Sequence, residues 1–474
     1  MAVTAESMVA WTRGLLGVDG FPELSLEQYL ADIPTLESLG DLPAGTVVLI
    51  RGDLDCKPGA AVGQGDIRLR SMVETLEFGR QRGWKQVLFG HIGRDPAATL
   101  DKVAKRLGEI LGAAVPVVND WLDPATNSIR SAAADQIKSA ANGSVVMLQN
   151  FRAYDIERVL WKAKEEELAG LSSGLAAASN AFADQLGAVY VNEAFSAGSL
   201  DTSGTVLPSS MKRVALGKYV RDQFSGPMLR CLKAQLVVFS GLKADKLDDM
   251  EAIIRRGHVK KLFVAGSLAM SLKKADAQLA GGDFHIGMAE DPALSKEPFH
   301  VPAKRLEQAK RLLVEGRKAG IEFVLPCDFT LLDGTVSDTV GPGKAQGDIG
   351  PRTNELFARK IDEFIAQHRA GVNGPTSVAF HNGVFGKFEE KPFERGTATF
   401  VPEFKKMRDA GVEVYVGGGE GGTALEQFGQ PNWVTHCFTA GGTVLNALGS
   451  DPVPYLVALR MAAHLVALRM AARS

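Results

Sequence analysis

Short apolar segments alternate with amphipathic helical segments along most of the chain, and this alternation strongly limits the folds that the chain can adopt. Residues 47–50, 86–89 and 144–148 are typical of buried strands, and residues 71–82 and 100–111 of helices between strands. Further strands are predicted at residues 236–239, 261–264, 323–325, 377–380 and 412–416, with helices such as 303–319 and 353–368 between them. Strands separated by helices in this way predict parallel sheets covered by helices. We therefore expect an α/β protein with two doubly wound parallel-sheet domains.

Size, charge and cysteine usage exclude several classes of protein. A chain of 474 residues favours two or three domains over one. The formal net charge of -2 does not suggest a nucleic-acid-binding protein, for which a strongly basic balance is expected. The four cysteines lie far apart without the spacing of a zinc site, which indicates a cytoplasmic or other reducing compartment. No apolar run is long enough for a membrane span, and residues 1–20, with Arg13 as their single basic residue, make a poor targeting signal.

Charged side chains follow the predicted strands of the first half of the chain. Arg51 and Asp53 follow the first strand, His91 and Arg94 the second, and Arg152 the third. Because ligands of open α/β sheets bind beyond the carboxyl ends of the strands, these side chains are expected to form one basic pocket. Arginine suits phosphate and carboxylate groups because its guanidinium donates two parallel hydrogen bonds. The alternative, in which each arginine is a surface residue or pairs with a carboxylate and His91 is structural, stays open.

Glycine runs mark the second half of the chain. Residues 417–419 are glycines that follow a predicted strand, and Gly441 and Gly442 open a predicted helix. Glycine lets the backbone approach a ligand closely, and a helix N-terminus presents N–H groups to phosphate. The sequence contains neither a Walker-type phosphate loop nor a dinucleotide fingerprint after the first strand, so a nucleotide site here is of another kind. An ordinary strand–helix turn is the alternative for either run.

The motifs occur in the order found in phosphoglycerate kinases, and the chain resembles that family from about Leu36 to Leu459. In the first half, residues 51–55 (RGDLD), 90–94 (GHIGR), 149–152 (QNFR) and 191–195 (VNEAF) are similar to the family segments RVDFN, SHLGRP, ENLRF and VNDAF. In the second half, residues 240–243 (SGLK), 325–328 (LPCD), 382–389 (NGVFGKFE), 417–420 (GGGE) and 439–443 (TAGGT) are similar to GGAK, LPVD, NGPxGxFE, GGGD and TGGGA. Arg68 stands where the family has an arginine before its first helix.

The resemblance implies reversible phosphoryl transfer between 1,3-bisphosphoglycerate and ADP in glycolysis, with Mg²⁺ and ATP or ADP as cofactors. It implies that Lys243 and Arg68 are catalytic, with Lys243 neutralising the phosphoryl group during transfer. The residues expected to bind 3-phosphoglycerate are Arg51, Asp53, Asp55, Arg68, His91, Arg94 and Arg152. Those expected to bind the adenine nucleotide are Gly241, Lys243, Lys246, Asn382, Glu389, Gly417, Gly418, Gly419, Gly441 and Gly442, and Glu420 is expected to hold the metal.

Several positions depart from the family pattern. Asp55 replaces an asparagine, Ser199 and Leu200 replace a His-Arg pair, Glu420 replaces the metal-binding aspartate, Ala440 begins the last glycine run, and Lys243 and Lys246 are one residue closer together. Each lost charged contact costs on the order of 1.5–3 kcal/mol of binding. The alternative function is therefore a catalytically impaired family member that serves as a structural or regulatory subunit of a larger assembly. We favour the enzyme, because Lys243, Glu389 and most of the basic pocket are retained.

These expectations divide the chain into five segments. They are an N-terminal extension at 1–33, a basic substrate domain at 34–224, a nucleotide domain at 225–438 joined to it by a hinge, a segment at 439–459 that returns toward the first domain, and a helical tail at 460–474. The sequence LVALRMAA occurs twice near the end, at 456–463 and 465–472, and consists of strong helix formers. A helix that is apolar on most sides is usually buried or in contact with a partner. The extension and the tail are therefore candidate protein contacts, and neither is expected to span a membrane.

Overall fold

The computed structural model describes residues 2–241, 246–449 and 452–471, and the chain divides into two compact units. The first unit is Met1–Gly226 together with Asp451–Ser474, and the second is Pro227–Ser450. Each unit contains a six-stranded parallel sheet flanked by helices. The expected α/β fold with two doubly wound sheets is confirmed.

The first sheet has the strand order β3-β4-β2-β1-β5-β6, and its neighbouring strands are parallel. Its strands are β1 (Val47–Gly52), β2 (Lys85–Phe89), β3 (Val117–Val118), β4 (Val145–Leu148), β5 (Val189–Glu193) and β6 (Arg213–Leu216). The central strands are buried along almost their whole length, because helices cover both faces, and this explains their continuous apolar runs. The chain leaves β1 toward β2 on one side and returns at β5 on the other, so the topological switch point lies between β1 and β5.

The first unit contains nine α-helices before its C-terminal helix, counted over the described residues. They are α1 (Ala5–Leu15), α2 (Leu26–Asp32), α3 (Ile67–Ser71), α4 (Val73–Gln81), α5 (Asp101–Leu111), α6 (Ser131–Ser139), α7 (Leu168–Ala181), α8 (Thr202–Thr205) and α9 (Lys218–Gln223). The helix predicted over 71–82 corresponds to α4, and the short helix α3 ends at Ser71, with Met72 between the two helices. Within the predicted N-terminal extension, α1 buries Met8, Trp11 and Leu15 and packs against α7.

The second sheet has the strand order β15-β14-β13-β7-β8-β9 and is also parallel. The strands of this unit are β7 (Leu236–Phe239), β8 (Lys261–Val264), β9 (Glu322–Val324), β10 (Phe329–Leu331), β11 (Val336–Ser337), β12 (Gln346–Ile349), β13 (Val378–Asn382), β14 (Glu413–Gly417) and β15 (His436–Cys437). Its helices are α10 (Leu229–Cys231), α11 (Lys246–Arg255), α12 (Leu268–Leu279), α13 (Ala303–Lys318), α14 (Pro351–Arg369), α15 (Arg395–Asp409), α16 (Gly419–Phe428) and α17 (Gly441–Leu448). Here the switch point lies between β7 and β13.

A small antiparallel sheet with the order β11-β10-β12 was not expected from the sequence. Its strands are only two to four residues long, so they carry too little periodicity to be recognised. Leu332, at its turn, and Gln346, in β12, reach a cavity that is described below.

The C-terminal helix α18 (Pro454–Ala471) contains both copies of the LVALRMAA repeat up to residue 471 and packs within the first unit. The first copy is buried, with Leu456, Ala458 and Leu459 at most 1% exposed, whereas Leu468 in the second copy is 54% exposed. Arg460 forms an ion pair with Asp32 (2.6 Å). Among the described residues, no helix combines the length and apolar character that crossing a membrane requires.

Candidate active site

Arg51 lies at the end of β1, and its guanidinium is buried in the first unit. Its Nε donates to Oγ of Ser203 (2.8 Å), Nη1 donates to the carbonyl oxygen of Gly52 (2.6 Å), and Nη2 donates to Nδ1 of His91 (2.8 Å). Nη2 also lies 3.3 Å from Oδ2 of Asp201. The Arg51 side chain is thus held by internal acceptors on all sides, and its exposed fraction is only 1%.

His91 follows β2 and is a neutral hydrogen-bonding group. Burial lowers its pKa well below the ordinary value, and the positive charges of Arg51, Arg152 and Arg68 lower it further. Because Nη2 of Arg51 can only donate, Nδ1 of His91 accepts, and the imidazole proton therefore resides on Nε2. This geometry suits His91 to donate a hydrogen bond to an anion rather than to pair with it as a cation.

Arg152 follows β4 and lies between a carboxylate and an aromatic ring. Its Nη1 donates to the carbonyl oxygen of Gly93 (2.6 Å), and its Nη2 lies 4.0 Å from Oδ1 of Asp201. The guanidinium carbon is 4.8 Å from the ring centre of Trp161, within the range of a cation–π contact. Its Nε is buried and has no hydrogen-bond partner among the described residues. Burial lowers the pKa of Arg152, and Asp201 opposes this effect.

The remaining predicted residues of this pocket lie at the same edge of the sheet. Arg68, in α3, has its Nη1 3.6 Å from Oδ1 of Asp53 and 3.7 Å from Oδ2 of Asp55. Asp55 also accepts from the backbone N–H of Gly93 (2.8 Å), while Asp53 accepts from Oγ of Ser196 (2.6 Å) beyond β5. Arg94 is exposed, and no ion pair involves it within the described part of the chain. Apart from Arg94, the predicted residues are therefore connected by contacts around the switch point of the first sheet.

Two acidic residues of this site were not predicted. Asp201 and Glu157 are both fully buried, and their ligand atoms lie within 4.8 Å of those of His91. Burial raises the pKa of Glu157 to about 8, and the nearby Asp201 adds to this rise. Glu157 accepts hydrogen bonds from the backbone N–H and Oγ of Ser203. With Arg51 and Arg152 adjacent, the cluster is an ion-pair network rather than a cation site. The only hint in the sequence is that Asp201 directly follows the departure at Ser199 and Leu200.

The switch point of the second sheet brings together Lys246, Asn382 and the end of β7. Nζ of Lys246 donates to the carbonyl oxygen of Ser240 (2.6 Å) and to Oδ1 of Asn382 (3.2 Å). Nδ2 of Asn382 donates to the carbonyl oxygen of Gly417 at the end of β14 (3.1 Å). Asn382 thereby connects two strand ends at the edge where ligands of such sheets bind. Lys243 lies outside the described residues.

Two helix N-termini meet beside Asn382. The helix α16 begins at Gly419, and α17 begins at Gly441. Gly418 has a φ of +102°, which favours glycine, and a Cβ atom on Gly441 would lie 2.6 Å from the Cα of Gly418. Only glycine permits this close approach. The first turns of both helices therefore begin close together, and helix N-termini are regions that bind phosphate groups. Gly442, in the first turn of α17, is exposed.

A cavity of about 430 Å³ lies in the second unit. Its lining is mostly apolar, with Met270, Met288, Phe299, Leu332, Val384 and Phe385 among the side chains, and glycines at 241, 266, 347 and 386. The carboxylates of Glu389 and Glu420 belong to the same lining, and both residues are exposed. An apolar slot with few polar groups and a nearby anion-binding edge suits a flat heterocycle that carries phosphates.

The amino-acid sequence is similar to those of known proteins over most of its length. The sequence profile of the family described as phosphoglycerate kinase matches residues 40–451. The phosphoglycerate kinase of Clavibacter michiganensis subsp. michiganensis is 30% identical over 449 residues, which cover 90% of this chain and 98% of that one. The chloroplastic phosphoglycerate kinase 1 of Arabidopsis thaliana is 26% identical over 441 residues, covering 89% and 82%.

Solved structures of phosphoglycerate kinases share the fold. The crystal structure of the enzyme from Pyrococcus horikoshii is similar with a TM-score of 0.68 at 23% identity, covering 91% of this chain and 99% of that one. The enzyme from Coxiella burnetii is similar with a TM-score of 0.63 at 21% identity, covering 89% and 98%. The profile match, the relatives and the fold show a phosphoglycerate kinase-like glycolytic phosphotransferase: the chain belongs to the phosphoglycerate kinase family.

Proposed function

We propose that this chain is an active phosphoglycerate kinase, which transfers a phosphoryl group reversibly between 1,3-bisphosphoglycerate and ADP. The observation that carries the proposal is the glycine-lined cavity of the second unit, beside two converging helix N-termini. Phosphoryl transfer needs positioning and charge stabilisation more than covalent chemistry, and the charged side chains and helix N-termini of the two units can supply these. The structural-subunit alternative gains no support from the comparisons.

In the first unit we assign the binding of 3-phosphoglycerate to the strand-end residues. Arg68, Arg94 and Arg152 offer guanidinium donors, and His91 offers its Nε2 proton. Arg51 is assigned a positioning role, because its donors are used by internal acceptors and it fixes the tautomer of His91. Asp53 and Asp55 orient Arg68.

In the second unit we assign the cavity to the adenosine of ATP or ADP. The residues present fit such a group: Oε1 of Gln346 in the lining is buried without a hydrogen-bond partner among the described residues, and can accept from a bound base. A Cβ atom on Gly386 would lie 2.4 Å from the carbonyl oxygen of Gly347, so the wall requires glycine there. We assign the binding of a ribose hydroxyl to Glu389, which lines this cavity, and the binding of phosphates to the first turns of α16 and α17.

Glu420 is the residue that we assign to Mg²⁺, which when bound neutralises charge on the phosphates. An exposed carboxylate at the start of α16, beside the cavity, is a suitable oxygen ligand for this ion. We assign to Lys243 the neutralisation of the transferring group, and to Lys246 the positioning of Asn382 through its bonds to Ser240 and Asn382.

A coupled assay of ATP formation from 1,3-bisphosphoglycerate and ADP tests this proposal. Wild-type protein is expected to form ATP in this assay. Lys243→Ala is expected to lower kcat by roughly 100-fold or more, because a charged group that stabilises the transition state is lost. Lys318→Ala, an exposed lysine at the end of α13, is the matched control and should retain the wild-type rate. Absence of turnover in folded wild-type protein, at saturating substrates, would contradict the proposal.

We further propose a reducing compartment such as the cytoplasm as the place of this activity, and a protein contact through α18 or the N-terminal extension. The cysteines at 56, 231, 327 and 437 are all unpaired thiols, which suits a reducing environment. The exposed Leu468 near the end of α18 is the part of these segments that a partner could cover. Gel filtration of the full chain and of a chain that ends at Leu459 tests the contact, because loss of an association on truncation is expected.

A further inference from the structure

Asp201 occupies the centre of the basic pocket of the first unit. It immediately precedes α8 and is fully buried. Its Oδ1 accepts a hydrogen bond from Nε1 of Trp161 (2.8 Å), and its Oδ2 lies 3.3 Å from Nη2 of Arg51 and 3.5 Å from Nδ1 of His91. The carboxylate is therefore held by Arg51 and Trp161, and Trp161 also contacts Arg152.

The contacts of Asp201 are those that a bound anion would use. Nη2 of Arg152 lies 4.0 Å from Oδ1 of Asp201, and Trp161 contacts both residues. Nε of Arg152 has no partner within the described part of the chain, so this guanidinium still has capacity for another acceptor. A negatively charged ligand on Arg152 would therefore lie close to the Asp201 carboxylate and be repelled by it.

The positive charge of Arg68 is also balanced by nearby carboxylates. Arg68 lies 3.6 Å from Asp53 and 3.7 Å from Asp55. Together with Asp201 these carboxylates balance the charges of Arg51, Arg68 and Arg152. A phosphorylated carboxylic acid brings at least two negative charges near neutral pH, so it meets a pocket whose own carboxylates already offset much of the positive charge.

We propose that Asp201 is a built-in countercharge that weakens the binding of phosphorylated acids in this pocket and so sets its affinity. The inference rests on the proposed function in taking 3-phosphoglycerate as the ligand. Asp201 in this view lowers the affinity of the pocket for anions by acting through Arg51 and Arg152, and it does not touch the reacting atoms.

The test is calorimetric titration of wild-type protein and Asp201→Asn with 3-phosphoglycerate and, separately, with inorganic phosphate. Asparagine keeps an oxygen acceptor for Nε1 of Trp161 and removes the charge. We expect both ligands to bind roughly tenfold tighter or more to the variant, the size of one charge-assisted contact. Asp120→Asn is the matched control, since Asp120 pairs with Arg130 on the surface (3.2 Å) and should leave both affinities unchanged.

The outcomes separate the inference from the proposed function. If wild-type protein binds 3-phosphoglycerate and folded Asp201→Asn binds it equally or more weakly, the countercharge inference is wrong and the proposed substrate stands. If neither protein binds 3-phosphoglycerate but phosphate binds tighter to the variant, the countercharge is supported and the proposed substrate is wrong. If neither ligand binds tighter to the variant and neither protein binds 3-phosphoglycerate, both are wrong.

A measurement on wild-type protein covers the case in which Asp201→Asn does not fold. The indole N–H resonance of Trp161, assigned by its absence in Trp161→Phe, reports the hydrogen bond to Asp201. Titration with phosphate should shift this resonance, because the ligand draws Arg152 away from Asp201. An unmoved resonance at phosphate concentrations that saturate binding would overturn the inference.

Discussion

At the scale of single residues, the arginines of the first unit differ in what they do. Arg51 is 1% exposed and bonded to Ser203, Gly52 and His91, whereas Arg94 is exposed. Removing one partner of a buried ion pair leaves the other charge uncompensated, which typically costs about 3–5 kcal/mol. The two arginines, although predicted for the same pocket, should therefore differ in how much their substitution lowers stability.

Arg51→Met is expected to lower the free energy of unfolding of the first unit by about 3–5 kcal/mol, because Asp201 loses its closest cation. Arg94→Met should change it by less than about 0.5 kcal/mol and weaken anion binding instead. Urea denaturation followed by tryptophan fluorescence measures the effect, since Trp11, Trp84, Trp121 and Trp161 all lie in this unit. Equal stability losses in the two variants would contradict the distinction.

Glu193, the last residue of β5, is expected to make stability depend on pH. It is fully buried and accepts hydrogen bonds from Oγ1 of Thr75 (2.6 Å) and the backbone N–H of Tyr219 (3.1 Å), yet burial raises its pKa from 4.5 to about 7. Between these values the folded chain holds a proton that the unfolded chain has lost, so stability falls as the pH rises from about 4.5 to 7.

Glu193→Gln should remove this part of the pH dependence. Urea midpoints at pH 5, 6 and 7 are expected to fall with rising pH in wild-type protein and to fall less steeply in the variant. Glu77→Gln, a partly exposed residue paired with Arg80, is the control and should keep the wild-type slope. A variant slope equal to that of wild type would show that Glu193 does not titrate in this range.

The sequence indicated the basic strand-end residues but not their buried partners. Arg51, His91 and Arg152 follow apolar strands, and parallel strands place their carboxyl ends at one edge, so their proximity could be expected. Asp201 and Glu157 join them through contacts that span 150 and 46 residues of the chain, as in the Arg51–Asp201 and Glu157–Ser203 pairs. Such partners leave no periodic pattern in the sequence, so only the structure shows that Arg51 is internally compensated.

At the scale of elements, the N-terminal helix α1 is part of the first unit. Trp11 is 4% exposed and its Nε1 donates to the carbonyl oxygen of Thr205 (2.9 Å).

Trp11→Ala is expected to lower the free energy of unfolding by about 3–5 kcal/mol, because a large buried side chain is lost and a cavity remains. Glu6→Ala, on the exposed side of the same helix, should change it by less than about 0.5 kcal/mol. Thermal unfolding of both variants measures the difference, and a small effect of Trp11→Ala would show that α1 is dispensable.

The repeat near the C-terminus illustrates how far element prediction reaches. Its residues predicted a helix, and α18 contains both copies up to residue 471. The two copies have the same sequence, so the sequence could not say which of them is buried. Their different positions along α18 decide this: Leu459 is fully buried, whereas Leu468 is 54% exposed. Likewise, the short strands β10, β11 and β12 were too brief to predict.

At the scale of the whole molecule, the regular alternation of strands and helices was sufficient to predict two doubly wound sheets, because a parallel sheet requires a helical crossover between its strands. The ordered motifs then indicated the family, which the profile match over residues 40–451 shows. Charge compensation within each site depends on the folded arrangement of the whole unit.

The combined variant Asp55→Asn, Leu200→Arg and Glu420→Asp is expected to raise kcat/KM roughly tenfold or more in the coupled assay. Asparagine at 55 keeps an acceptor for the N–H of Gly93 and removes a negative charge 3.7 Å from Arg68. Arginine at 200 adds a cation next to Asp201, and aspartate at 420 shortens a carboxylate at the start of α16. Asp120→Asn serves as the control and should leave the rate unchanged. If the combined variant folds but transfers phosphoryl groups no faster than wild type, these three positions do not limit the reaction. The closer spacing of Lys243 and Lys246 is then the better explanation for slow turnover.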